Sequence, residues 1–167
     1  MIPNGLVITT EWTKTEFENS LYFRGARPYD HGTLPFQWFR LAAGLLEGHE
    51  LWIQLCFYKD VLASFHASVN FYPTNAAGWE NFSLEIESQS KAFHDRLLQN
   101  QLGKPHQRIS SPTSEDHPIL DTSIEYHYKW GTVWSGYDSR GGSSSIVIQY
   151  GSRLEDAQKD YRAKSQG

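Results

Sequence analysis

The sequence predicts an α+β domain, an antiparallel sheet of two hairpins covered by one amphipathic helix. Three observations carry this expectation. Residues 51–72 hold two β-rich runs split by the polar pair Lys59-Asp60, residues 83–103 carry a helical stripe, and two more alternating runs follow it. The resulting order is β-β-α-β-β. Adjacent hairpins favour antiparallel pairing, and a helix of this length covers one face of such a sheet. A less regular N-terminal region precedes this core.

Along the chain, EWTKTEFENS places Thr13 and Glu16 at capping-box spacing and predicts a short helix or turn with Phe17 inward. GARPYDHGTLPF (25–36) holds two prolines and two glycines and reads as loop. QWFRLAAGLL (37–46) has helical composition, with Gly48 placed to close it and a strand as the alternative. In the first hairpin Leu51, Ile53, Leu55 and Phe57 share one face and Trp52, Gln54, Cys56 and Tyr58 the other. After Lys59-Asp60, Leu62, Ser64, His66 and Ser68 alternate against Val61, Ala63, Phe65, Ala67 and Val69, until Tyr72-Pro73 ends the run.

The stretch 83–103 predicts the clearest helix. Ile86, Phe93 and Leu97 share a stripe that Leu98 and Leu102 widen, and Ser83 can cap the N-terminus. Glu85 and Glu87 suit the positive end of the helix dipole, Glu87 and Lys91 form an i,i+4 pair, and Gly103 with Pro105 supplies the stop. Residues 104–122 read as a polar loop. SIEYHYKW then sets Ile124, Tyr126, Tyr128 and Trp130 against Glu125, His127 and Lys129, and SSIVIQY sets Ile146, Ile148 and Tyr150 against Val147 and Gln149. Residues 1–150 are expected to form one globular domain, and 151–167 a polar tail that is frayed helix or disordered.

Totals narrow the function. The chain has 167 residues, enough for a sizeable core, and six Trp, nine Tyr and nine Phe fill it with rings. Lys+Arg number 15 against 19 Asp+Glu, and no basic stripe is visible, which argues against nucleic-acid and membrane-surface binding. The acidic balance suits a basic protein partner. The single cysteine, Cys56, sits in an apolar run and reads as a small buried hydrophobe. No signal-peptide pattern opens the chain, and LAAGLL is too short to span a bilayer, so the expected location is cytoplasmic.

The most patterned stretch, YKWGTVWSGYDSRGGSSSIVIQY (128–150), raises the question of a phosphate loop or a small catalytic site. It fails both templates. Gly141-Gly142 has no adjacent lysine and leads into a β-patterned run, whereas a phosphate loop leads into a helix; Ser135 also lacks the G-x-S-x-G spacing. A strand-turn-strand explains it better, with Asp138 and Ser139 bonding nearby backbone and glycine supplying positive φ. Trp134, Tyr137 and Arg140 are interface-type residues at that hairpin. The seven histidines (His31, His49, His66, His94, His106, His117, His127) show no H-x-x-x-H spacing, so neither a metal nor a cofactor is expected. His94-Asp95 is the best acid/base pair, but neighbours on a helix diverge by about 100°, and a solvated face is the simpler reading.

The L-G-x-P helix end (Leu102 to Pro105), the Trp130-Gly131 pair, Tyr137-Asp138 with Gly141-Gly142, and the closing I-x-I-x-Y (Ile146 to Tyr150) resemble small bacterial proteins of unassigned chemistry. Some of these occur in toxin–immunity loci, including those linked to contact-dependent or type VI secretion. The resemblance spans residues 50–150, and because its motifs are structural it transfers no catalytic residue. It implies an immunity protein that neutralises a cognate antibacterial toxin by stoichiometric occlusion, not an enzyme. The expected contact residues are Glu115, Asp116 and Asp121 of an acidic loop, with Trp134, Tyr137, Asp138 and Arg140 at the hairpin tip, meeting a basic toxin surface. The alternatives are a small enzyme with a dispersed histidine–carboxylate site using His94 or His66, and a small-ligand or adaptor module.

Overall fold

The computed structural model describes residues 11–28, 36–73, 79–110 and 117–165. Helix α1 (Lys14–Glu18) comes first, followed by a 3-10 turn and the short strand β1 (Arg27–Pro28). Three long strands follow: β2 (Phe36–Leu46), β3 (His49–Tyr58) and β4 (Val61–Asn70). Helix α2 (Leu84–Leu102) leads to β5 (Gln107–Ser110), β6 (Thr122–Tyr128), β7 (Gly131–Asp138), β8 (Ser143–Tyr150) and helix α3 (Arg153–Ser165). The fold is α+β. Among the described residues, the eight strands form one antiparallel sheet in the order β1-β2-β3-β4-β8-β7-β6-β5. It consists of two four-strand meanders whose last strands meet at the centre.

The sheet is larger than the two hairpins expected. Residues 37–46, of helical composition, belong to β2, which pairs with β3 from Phe36↔Tyr58 to Leu46↔His49. Long pairing outweighs local propensity here, and the register shifts between Ala42 and Leu45, where Gly44 has φ 95°. Residues 107–110, within the expected polar loop, form β5 at the far edge.

Helix α1 has the expected capping box. The Thr13 hydroxyl accepts from Glu16 N–H at 3.1 Å, and the Glu16 carboxylate accepts from Thr13 N–H at 2.8 Å. This helix carries Phe17 into a ring cluster with Trp12, Phe23, Phe39 and Phe57, at centroid distances of 5.2–5.6 Å. Phe17 joins Leu51, Ile53, Leu55, Phe57, Phe65 and Val69 in the main core, and Leu98, Ile124, Tyr126, Val133 and Ile146 extend it under α2. A register shift after Cys56 pairs Phe57 with Leu62 but Cys56 with Ser64, so Ala63 is the extra residue and Leu62 joins the core.

The residues after Tyr150 form α3, which docks at Tyr58 and Ala63 through the fully buried Ala157. Arg153 donates to the Leu62 carbonyl at 2.8 Å, and the Tyr58 hydroxyl donates to Asp160. Among the described residues, no helix is long and apolar enough to cross a membrane.

Candidate functional site

The helix α2 starts where expected, with Ser83 as N-cap accepting from Ile86 N–H at 3.4 Å and Gly103 at its end. The face it buries is wider than its apolar stripe. Phe93 and Leu98 are buried, but so are Glu87, Ser90, Lys91, His94 and Asp95, while Leu102 is 39% exposed. The solvated face expected for His94-Asp95 is therefore corrected. So is the expected Glu87–Lys91 pair: the Lys91 ammonium bonds Asp95 at 2.5 Å instead.

The sheet explains why a polar face is buried. Strands β4 and β8 pair only from Ser64↔Gln149 to Ala67↔Ile146 and then part. Beyond that point β4 stays paired with β3 and β8 with β7, but the backbone groups that face across the gap have no strand partner, and α2 supplies it. Val69 N–H donates to His94 Nε2 at 3.0 Å, and the Val69 carbonyl accepts from the Ser90 hydroxyl at 2.9 Å. Ser144 N–H donates to the Glu87 carboxylate at 3.0 Å, and the Ser144 hydroxyl donates to Ser90 Oγ at 3.0 Å. Three helix side chains replace a missing stretch of strand ladder. Buried backbone groups left unpaired would each cost about 1–3 kcal/mol.

The parted strands leave a cleft of 460 Å³. Its wall includes Trp52, Phe71, Tyr72 and Phe82; Glu87, Ser90 and Ser144 form its floor, and Gly141-Gly142 its rim. Trp52 pairs across with Ser68, out of phase with the core-facing Leu51 and Val69, so the cleft is lined from both faces of the sheet. Burial raises the Glu87 carboxyl above the usual carboxylate range, against the opposing pull of the Ser144 N–H. Burial likewise raises the Tyr72 and Tyr137 phenols, with the Glu87 charge adding to both.

The double-glycine stretch serves as a turn and as this rim. Arg140 N–H donates to Asp138 Oδ1 at 2.9 Å, Gly142 N–H donates to the Asp138 carbonyl at 2.8 Å, and Gly142 has φ 62°.

Among the described residues, the expected contact residues lie on different faces of the sheet and in its turn. Glu115 and Asp116 lie outside the described residues, and Asp121 is half-buried just before β6. Trp134 and Tyr137 stand on opposite faces of β7. Trp134 lies over Gly136, where a Cβ would come within 2.7 Å of the indole, whereas Tyr137 pairs with Ser144 and neighbours Glu87. Asp138 and Arg140 are exposed in the turn.

His94 and His66 are not brought together with a carboxylate in the cleft. His94 is held neutral, to about 3, by burial and by the Lys91 charge beside it, and its Nδ1 has no partner. His66 sits beside the Ser64 hydroxyl at 3.1 Å and edge-on to Trp38. No group of three or more His, Cys, Asp or Glu among the described residues could hold a metal ion. Cys56 is buried, and burial pushes its thiol up to about 12.

The sequence reading missed Trp52, Phe71, Tyr72, Phe82, Glu87, Ser90 and Ser144. One signal for the floor was available. Glu87, Ser90, Lys91, His94 and Leu98 recur at helical spacing as strictly as the apolar stripe beside them. No family model, curated protein or solved structure matches the chain.

Proposed function

We propose that this chain is a non-covalent binding module whose recognition site is the cleft between β4, β8 and α2. The observation that carries this reading is the parting of the two central strands around a 460 Å³ space walled by four aromatic residues and floored by a buried carboxylate. Its volume falls in the range of about 300–1,000 Å³ typical of small-molecule sites, and aromatic walls with a few fixed polar groups are their usual composition. Binding is favoured over acid–base catalysis by His94, whose Nε2 lone pair is engaged by Val69 N–H and whose charging is opposed near neutral pH.

The test is a ligand-observed NMR screen of a fragment library at neutral pH, using the intact chain and Ser143→Trp, which places an indole on the exposed rim. Hits that bind the chain and are lost in Ser143→Trp are expected. Hits that the blocked variant retains would place binding elsewhere and sink the reading.

Toxin neutralisation, implied by the resemblance, is the second reading, and one observation favours it. Trp130 is 43% exposed and stacks on Tyr128 at 5.1 Å and 6°, in a row of rings that runs from His106 to Tyr150. A large exposed ring fixed by its neighbours is the kind of anchor that dominates protein interfaces. Co-expression with each neighbouring gene product checks it. Protection from a toxic neighbour that is lost in Trp130→Ala is the expected outcome, and protection from none rules the reading out.

A further inference from the structure

We infer that the cleft selects a cationic group, an ammonium or guanidinium carried on a flat apolar body, with Glu87 as its counter-charge. This inference rests on the reading of the cleft as a binding site and adds the chemical class of its ligand.

The hydrogen-bond directions on the floor lead to it. The Ser90 proton is committed to the Val69 carbonyl, and the Ser144 hydroxyl proton to Ser90 Oγ. The Ser144 N–H is committed to Glu87. These three donors all point into the protein. From the wall, the Tyr72 hydroxyl turns its proton to Glu87 as well, so what the floor offers a ligand is chiefly lone pairs: those left on the Glu87 carboxylate and on Ser144 Oγ. A ligand that brings only acceptors must compete with Glu87 for the Tyr72 hydroxyl proton, and a ligand carboxylate or phosphate meets a like charge. A ligand rich in N–H donors and carrying positive charge satisfies both demands.

The walls agree with the floor. Trp52, Phe71, Tyr72 and Phe82 line the same space. Such rings attract a cation through their quadrupoles and stack on a flat body. A carboxylate withdrawn from water has weaker competition from solvent, so a cation seated beside it gains more than it would at the surface. The positive end of the α2 dipole, which would favour an anion, is already answered by Glu85 and Glu87 in its first turn.

The experiment titrates the intact, isotope-labelled chain at neutral pH with three probes of one shape: benzylamine, benzyl alcohol and benzoate. It follows the Gly141 and Gly142 amides and the Trp52 indole N–H. Benzylamine is expected to shift these signals and to bind at least about tenfold more tightly than benzyl alcohol, with benzoate weakest. In Glu87→Gln the amine preference should disappear. In Trp52→Ala, a residue 37% exposed whose loss leaves the core intact, all three probes should weaken while the amine preference survives. Equal binding of the three, or benzoate as the best, at the same signals overturns the charge selection and leaves the cleft as a binding site. If no probe moves those signals, both the inference and the reading beneath it fall.

Discussion

Glu87 and His94 lie two helical turns apart on the same buried face of α2, and burial shifts the proton affinity of each in the direction of its neutral form. The consequences for stability have opposite signs. Glu87 has its folded pKa raised. Its contribution is therefore fully present below the ordinary carboxylate range and is lost as pH rises through the raised value. Glu87→Gln keeps an oxygen for the Ser144 N–H but carries no charge. We expect it to melt higher than the parent at neutral pH, with the gain shrinking as pH falls toward about 4. Thermal melts across that range check it, and a loss of stability at neutral pH would show that the carboxylate is not a burden. A residue whose neutralisation stabilises the fold while removing the preference for a cation would serve binding at the expense of stability. His94 is depressed to about 3 from an ordinary value near 6.5. Its contribution is present above the ordinary value and is lost as pH falls toward the depressed one. His94→Gln, which retains an acceptor for Val69 N–H, should therefore lose less stability than the parent on acidification through that window. Parallel melts of the two proteins decide it.

At the scale of the element, α2 is a surface helix that turns a largely polar face inward. Lys91 is fully buried and answered by Asp95 on its own helix, so removing one partner leaves a buried charge. Asp95→Ala is expected to cost about 3 kcal/mol, and the double change Lys91→Met with Asp95→Leu should recover most of it. Urea titrations of the three proteins test this; equal stability of Asp95→Ala and the parent would mean the pair is solvated. The same helix shows what sequence can and cannot disclose. Its existence, its Ser83 start and its Gly103 end were legible, because caps and stop signals are local chemistry. Its buried face was not. Glu, Ser, Lys and His at helical spacing describe a face toward water and a face toward unpaired backbone equally well, and only the parting of β4 and β8 decides between them. Strand β2 was misleading for the converse reason. Leu41, Ala42, Ala43 and Leu45 favour a helix in isolation, and pairing with β3 along most of its length outweighs them. The hairpins around Lys59-Asp60 and Ser139–Gly142 were readable because alternation and turn residues agree there.

For the whole molecule, both long helices pack on the central strands β4 and β8, α2 reaching on to β7 and α3 to β3 at the Tyr58 end. Ending the chain at Gly151 removes Ala157 and Arg153 from Tyr58, Ala63 and the Leu62 carbonyl. Such a truncation should fold but lose about 2 kcal/mol, read as a lower denaturation midpoint at unchanged ligand affinity. An unchanged midpoint would mean that α3 contributes nothing to the fold.

The meeting of the two meanders at their last strands also sets a schedule. The central pair joins residues 64–67 to 146–149, so β4 leaves the ribosome long before the strand that completes it exists. At synthesis rates of about 5–20 residues per second, the edge of β4 stays bare for several seconds. Trp52 and Phe71 come from the early half of the chain, Gly142 and Ser144 from the late half. The cleft therefore cannot assemble on the ribosome until the chain through Ser144 has been made.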